Sequence, residues 1–244
     1  MRIIVLLVCF LLSSATAQVL ERPTIKSHDS WTYTSTVEKN AGWRQTHEEY
    51  TVLRATETEI LVSIKEAGSK LPPKEMLQGA DWSRFRNVNG REEVVNKPLL
   101  FPLEAGKTWE IDYTELHPNR EHSRERFHSS YKAVGWEEVT VPAGTFLALK
   151  IESQGRWLAE LVPAASASTQ TRADNQGTVA VTRADRRTPQ TATGRLYKAV
   201  WYVPAVKRYV KSVEEYFAAN GVRNERYSLE LEAFKVQPNE PEGN

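Results

Sequence analysis

The sequence predicts an all-β fold, an antiparallel meander curled into a barrel or half-barrel, with one long disordered loop. Three observations predict it. Apolar and polar residues alternate with a period of two through most of the chain, the signature of half-buried antiparallel strands. Gly, Pro and Asn pairs interrupt that alternation at short intervals, as hairpin turns do. No long stretch carries a helical period, while Thr, Val, Tyr and Trp are plentiful, as pleated surfaces favour.

The first element is a leader. "MRIIVLLVCFLLSSATAQ" has one positive charge at Arg2, an apolar run from Ile3 to Leu12, and Ala15-Thr16-Ala17 as an A-x-A cleavage site before Gln18. This pattern predicts a secretory signal peptide over residues 1–17, and so a periplasmic or secreted protein after cleavage near Ala17. The run is too short to span a membrane, which takes roughly 20 apolar residues, and no other run is long enough. The single cysteine, Cys9, falls inside the leader after Val8, a poor context for lipidation. The mature chain therefore has no disulfide, thiol nucleophile or Cys-based metal site, and must be held by a hydrophobic core. Residues 18–236 are long enough for one such β domain, with a disordered tail at 237–244. Removing Arg2 from the 32 basic residues leaves 31 against 31 acidic ones. A net charge of zero argues against a general attraction to nucleic acid or anionic lipid.

Along the mature chain, "DSWTYTSTV" puts Trp31, Tyr33 and Val37 on one face, and "TEILVSIKE" does so for Ile60, Val62 and Ile64. Lys74 to Gly79, after Pro72-Pro73, reads as a short helix. Asn89-Gly90 is a type I′ hairpin signal between two extended runs. "KTWEIDYTEL" alternates Trp109, Ile111 and Tyr113 with polar residues, and His117-Pro118-Asn119 ends it. A faint internal echo accompanies these runs: Tyr50 follows Trp31 by 19 residues and Tyr131 follows Trp109 by 22, as two similar meanders would give. Residues 163–193 lack aromatics, repeat "TRAD", and are of low complexity. Such a segment buries too little to offset its ordering entropy, so a flexible loop is expected, with a functional lid as the sharper alternative. Asn220-Gly221 marks a second hairpin, and "YSLELEAF" a last alternating strand through Tyr227, Leu229 and Leu231.

"VTVPAGTFLALKIE" reads as two strands joined at Pro142-Ala143, since Pro fits the second position of a tight turn and no G-x-S-x-G elbow is present. Together with "FPLEAGKTWEIDY" before it and "WYVPAVKRYVKSVE" after it, in that order, the chain resembles a family of uncharacterised exported bacterial β-proteins known mainly as a domain of unknown function. The residues that carry the resemblance are Pro102, Leu103, Gly106 and Trp109; Val141 to Phe146; and Trp201, Tyr202, Pro204, Val206, Arg208, Val210 and Lys211. It covers about residues 98–236, and "DSWTY" near Asp29 adds to it. The family commonly has Gly where this chain has Lys207, which puts the turn at Pro204-Ala205 in question. The resemblance implies an envelope protein with a twisted antiparallel sheet, and it implies no reaction and no catalytic residues.

Motifs for chemistry are sparse. In "EHSRERFHSSY" a strand places His122, Arg124, Arg126, His128 and Ser130 on one face, with Glu121, Glu125, Phe127 and Tyr131 opposite. His122 and His128 stand about 20 Å apart on a strand, too far to share a metal, and "HEEYT" lacks the second His of a zinc motif. No metal ligand set, cofactor or catalytic residue is identified. Arg124 and Arg126 could pair with a phosphate or carboxylate. Of seven tryptophans, Trp31, Trp109 and Trp201 fit the core by alternation. Trp43, Trp82 and Phe85 fit a cap over an open end of the sheet. Trp43, Trp82, Phe85, Arg124 and Arg126 are thus the candidate ligand-binding residues. The function expected is non-catalytic binding of a small apolar ligand or lipid in the curled sheet. Docking of an envelope protein partner by an exposed edge and hydrolysis at a site around His122 and His128 are the alternatives.

Overall fold

The computed structural model describes residues 18–39, 41–162 and 190–238, and the backbone of 166–174 and 177–185. The leader and the residues after 238 lie outside the described residues. Fourteen strands run through the described part: β1 (Ser30–Lys39), β2 (Gly42–Ala55), β3 (Glu59–Glu66), β4 (Lys74–Gly79), β5 (Arg84–Val88), β6 (Arg91–Asn96), β7 (Thr108–Leu116), β8 (His122–Val141), β9 (Gly144–Leu161), β10 (Ser166–Asp174), β11 (Gly177–Asp185), β12 (Thr191–Val203), β13 (Arg208–Ala218) and β14 (Arg223–Lys235).

Ten of them form one antiparallel sheet in the order β4-β3-β2-β1-β14-β13-β12-β9-β8-β7. This is a meander whose two sequence ends meet in the middle, where β1 pairs with β14. The break falls mid-chain, between β4 and β7, so the sheet is a half-barrel and does not close. The segment that links these two edges carries the β5–β6 hairpin, which packs against both. Asn89 at its tip donates from Nδ2 to the Thr114 carbonyl at 2.7 Å and accepts from the Leu116 amide at 2.8 Å. Arg86 pairs with Glu115 beside it.

The expected turns form where the sequence puts them. β8 and β9 join at Pro142-Ala143, with Val141 opposite Gly144. Asn89 and Gly90 both take positive φ (53° and 85°), as a primed turn needs. The echo corresponds to two like pairings: Trp31 lies opposite Tyr50 and Trp109 opposite Tyr131, the latter rings stacked at 5.4 Å.

One element differs. Lys74–Gly79 is not a helix but strand β4, paired with β3 from Ile64–Lys74 to Glu59–Gly79. So short a helix gains few internal hydrogen bonds, whereas a strand there satisfies the outer edge of β3. Within residues 163–193, β10 and β11 pair with each other and not with the main sheet, each "TRAD" closing one strand; β12 has already begun at Thr191. Residues 163–165, 175, 176 and 186–189 lie outside the described residues.

The core runs along the inner face, through Trp31, Tyr33, Val52, Ile60, Leu149, Tyr202 and Leu231, all fully buried. Trp109 joins it. Trp201 is only half-buried and packs against it, because alternation along β12 turns Val200 and Tyr202 inward. The half-buried Trp201 indole then donates to Glu137 at 2.6 Å.

A buried ion pair fastens the chain ends to the sheet. Asp29 accepts from the Lys26 amide (3.0 Å), the Gln237 amide (2.7 Å) and Lys207 Nζ (3.3 Å), and Lys207 also donates to the Thr24 carbonyl at 2.7 Å. Lys207 has φ 60° and ends a 3-10 turn at Pro204–Val206. The left-handed turn that a glycine would make there is thus kept. Its steric cost of about 1–2 kcal/mol is offset by what the side chain reaches.

Candidate functional site

The concave face and the crossing segment line a half-open cavity of about 410 Å³. Its wall draws on β1–β4, β8, β9 and β12–β14, while Trp82, Arg84, Asn96 and Pro98 come from the segment between the two edges. Cavities of this size hold small ligands. The lining is mixed. Ile64, Ile151, Val200 and Leu229 are apolar; Arg84, Lys198 and Arg208 face Glu48 and Glu214 as the charged groups; five tyrosines line it as well.

Arg208 stands at one end. It is the first residue of β13, directly after the 3-10 turn, and only 2% exposed. Its guanidinium carbon lies 4.2 Å from the Tyr50 ring centre, 4.4 Å from Trp82, 5.0 Å from both Tyr33 and Tyr209, and 5.6 Å from Trp31. Such contacts return roughly 0.5–2 kcal/mol each. Nη2 donates to the Tyr209 hydroxyl at 3.3 Å. Nε and Nη1 have no hydrogen-bond partner. Among the described residues no carboxylate forms an ion pair with it. Burial pushes the Tyr33 and Tyr50 phenols well above the ordinary tyrosine range, against the pull of Arg208, so neither serves as a counter-charge at neutral pH. An arginine stays protonated even here. The cavity therefore contains one buried positive charge that the protein does not neutralise.

At the far end Lys198 and Glu214 form a pair. Lys198 Nζ sits 3.1 Å from Glu214 and donates to Asn96 Oδ1 at 3.2 Å. The Tyr216 hydroxyl donates to Glu214. Burial pulls the Lys198 ammonium down, opposed by Glu214. Burial also pushes the Glu214 carboxyl up, but Lys198, the Tyr216 hydroxyl and Arg84 outweigh it and leave it below the usual carboxylate range. Glu48, the other carboxylate, accepts from the Tyr50 hydroxyl at 2.8 Å.

Of the five residues singled out from sequence, the cavity takes in Trp82, whose indole also donates to the Lys207 carbonyl at 3.0 Å. Phe85 is half-buried on β5, outside the lining, and Trp43 is 70% exposed at the start of β2. Arg124 pairs with Glu160 at 3.6 Å, and Arg126 grips Asp112 with Nε at 3.2 Å and Nη2 at 2.7 Å. Sequence reasoning missed Arg208 as a site residue. The signal was present: Val206, Arg208 and Val210 stand two apart, and the flanking valines are fully buried. A charge on the apolar side of a strand calls for a reason.

The histidine face is also rearranged. A bulge between His122 and Arg124 turns His122 onto the side of Glu125 (2.9 Å) and Trp157, away from the arginines. His128 accumulates triad-like contacts, Nδ1 to Asp112 at 3.3 Å and Nε2 to Ser130 Oγ at 3.2 Å. Three features oppose catalysis there. The hydrogen bond from Arg126, against slight burial, holds Asp112 below the usual carboxylate range and competes for its oxygens. Ser130 pairs with Glu110 on one side and Gln154 on the other, so its backbone is committed to the sheet. Among the described residues no α-helix occurs whose N-terminus could stabilise an oxyanion. The protein is expected to stay unlabelled by a fluorophosphonate probe; labelling that disappears in Ser130→Ala would make it a hydrolase. No group of three His, Cys, Asp or Glu that could hold a metal occurs among the described residues.

No protein-family model and no curated protein matches the chain. Two solved structures are similar to it. One is a candidate lipoprotein from Parabacteroides distasonis, 16% identical with a TM-score of 0.43, covering 89% of this chain and 99% of that one. The other is a candidate exported protein with a YmcC-like fold from Bacteroides fragilis, 16% identical with a TM-score of 0.40, covering 89% of this chain and 100% of that one.

Proposed function

We propose that this protein is exported and serves as a binding protein, holding a small lipid-like ligand in the cavity of its half-barrel without chemistry of its own. The leader supports the address, and the mature β domain would work in the periplasm or outside the cell. The cavity supports the activity: about 410 Å³ between sheet and crossing segment, open on one side, apolar along part of its wall and charged at both ends. An amphiphile suits that lining better than a wholly apolar molecule, because the buried polar groups of the wall stay satisfied only if the ligand offers them partners. Trp82 is the proposed binding residue that the sequence already named.

Native mass spectrometry of the mature protein, purified from its own host, tests this. The expected result is a mass excess that solvent extraction removes and that Trp82→Ala lowers. A clean ligand-free mass, with an envelope protein cross-linked at the outer edge of β4, would overturn it in favour of a docking module.

A further inference from the structure

We infer that the ligand carries an anionic oxygen group, a carboxylate or phosphate, which docks on the guanidinium of Arg208. This rests on the reading of the cavity as a ligand site and names what the site selects.

The argument begins with the unbalanced charge. A lone buried cation costs several kcal/mol in lost hydration. Proteins that bury a guanidinium for structure give it a carboxylate or carbonyl oxygens in its plane. Here the rings of Tyr50 and Trp82, at 4.2 and 4.4 Å, attend to the cation by their π-clouds. The N–H bonds point outward in the guanidinium plane, where ring faces offer them no acceptor, and Nε and Nη1 have none. Nη2 has one long contact, to a hydroxyl attached to one of the same rings. Aromatic rings surround the charge, and Arg208 is one of the residues that line the cavity.

Counting the other charges gives the same sign. Glu214 is paired with Lys198, and Glu48 accepts a hydrogen bond from the Tyr50 hydroxyl while keeping its charge. The lining carries three cations, Arg84, Lys198 and Arg208, against two carboxylates, Glu48 and Glu214, so its net charge is positive. The apolar wall formed by Ile64, Ile151, Val200 and Leu229 extends through the same cavity and suits the ligand's tail. Arg208 is a binding residue in this scheme, and the five rings position it.

The test compares decanoate and decyl phosphate with decanol, which has the same tail and no charge, and with inorganic phosphate, which has the charge and no tail. Binding is followed by calorimetry and by the change in total tryptophan fluorescence. At least one of the two anionic amphiphiles should bind about 10- to 100-fold more tightly than decanol, the ratio expected for a hydrogen bond to a charged group. Arg208→Met should erase that preference. Phosphate alone binding as well as decyl phosphate would assign the site to a free oxyanion and overturn the amphiphile. Decanol binding as tightly as both anions would overturn the inference while leaving the cavity as a ligand site. Binding by none of the four would also overturn it, and the cavity would then be judged by native mass spectrometry alone. Should Arg208→Met not fold, the comparison among probes on the unmodified protein decides the matter by itself.

Discussion

Asp29→Ala is expected to lower the unfolding free energy by about 3–5 kcal/mol, the cost of breaking a buried ion pair from one side. Asp29 is fully buried and Lys207 nearly so, with side chains 0% and 4% exposed. Removal of the carboxylate strands the ammonium with only the Thr24 carbonyl, and leaves the amides of Lys26 and Gln237 without their acceptor. Whole domains are stable by about 5–15 kcal/mol, so this one change consumes a large share. Urea denaturation gives the number. A double-mutant cycle with Lys207→Met separates the pair from the backbone contacts: the double variant should recover part of the loss, since the stranded charge is gone. A loss under about 1 kcal/mol, within the range of exposed pairs, would mean that water replaces the carboxylate and that the ends are not held this way.

Trp31→Ala should cost about 3–5 kcal/mol as well, the usual price of removing a large buried aromatic side chain. The indole is fully buried, donates to the Val206 carbonyl at 2.8 Å, and meets Trp82 edge-on at 5.1 Å. The variant loses packing and a hydrogen bond together. It also removes one wall of the aromatic enclosure around Arg208. Its signature should therefore include a change in near-ultraviolet circular dichroism from Trp82 at denaturant concentrations where the fold persists. Trp31→Phe should keep most of the packing and lose the hydrogen bond, at a cost nearer 1–2 kcal/mol. Equal losses for Ala and Phe would show that the Val206 contact, and not volume, sets the stability of this corner.

These expectations depend on contacts across long stretches of sequence, and that is where legibility stopped. Strand alternation marked Trp31, Tyr33, Ile60, Val62, Trp109 and Ile111 as inward-facing because period two is a local property. Hairpins at Asn89-Gly90, Pro142-Ala143 and Asn220-Gly221 were local too. β4 was misread because its strand character comes from the neighbouring edge of β3 and not from its own six residues. His122 was placed on the wrong face because a single bulge reverses parity, and nothing in "HSRE" announces one. Arg208 passed unnoticed for a different reason. Its neighbours in sequence make it an ordinary strand arginine; its meaning comes from Tyr33, Tyr50 and Trp82, contributed by β1, β2 and the crossing segment.

The pairing of β1 with β14 sets the order in which the protein can be made. During synthesis β1 emerges early, has β2 on one side and must wait for β14 on the other. Until β14 arrives, β1 presents a bare row of amides and carbonyls, in a chain whose contacts are mostly non-local. Such topologies fold slowly and expose strand edges to mispairing. The protein should thus depend more than a hairpin-built sheet on whatever shields unfinished chains, and truncations that remove β14 should aggregate rather than fold in part.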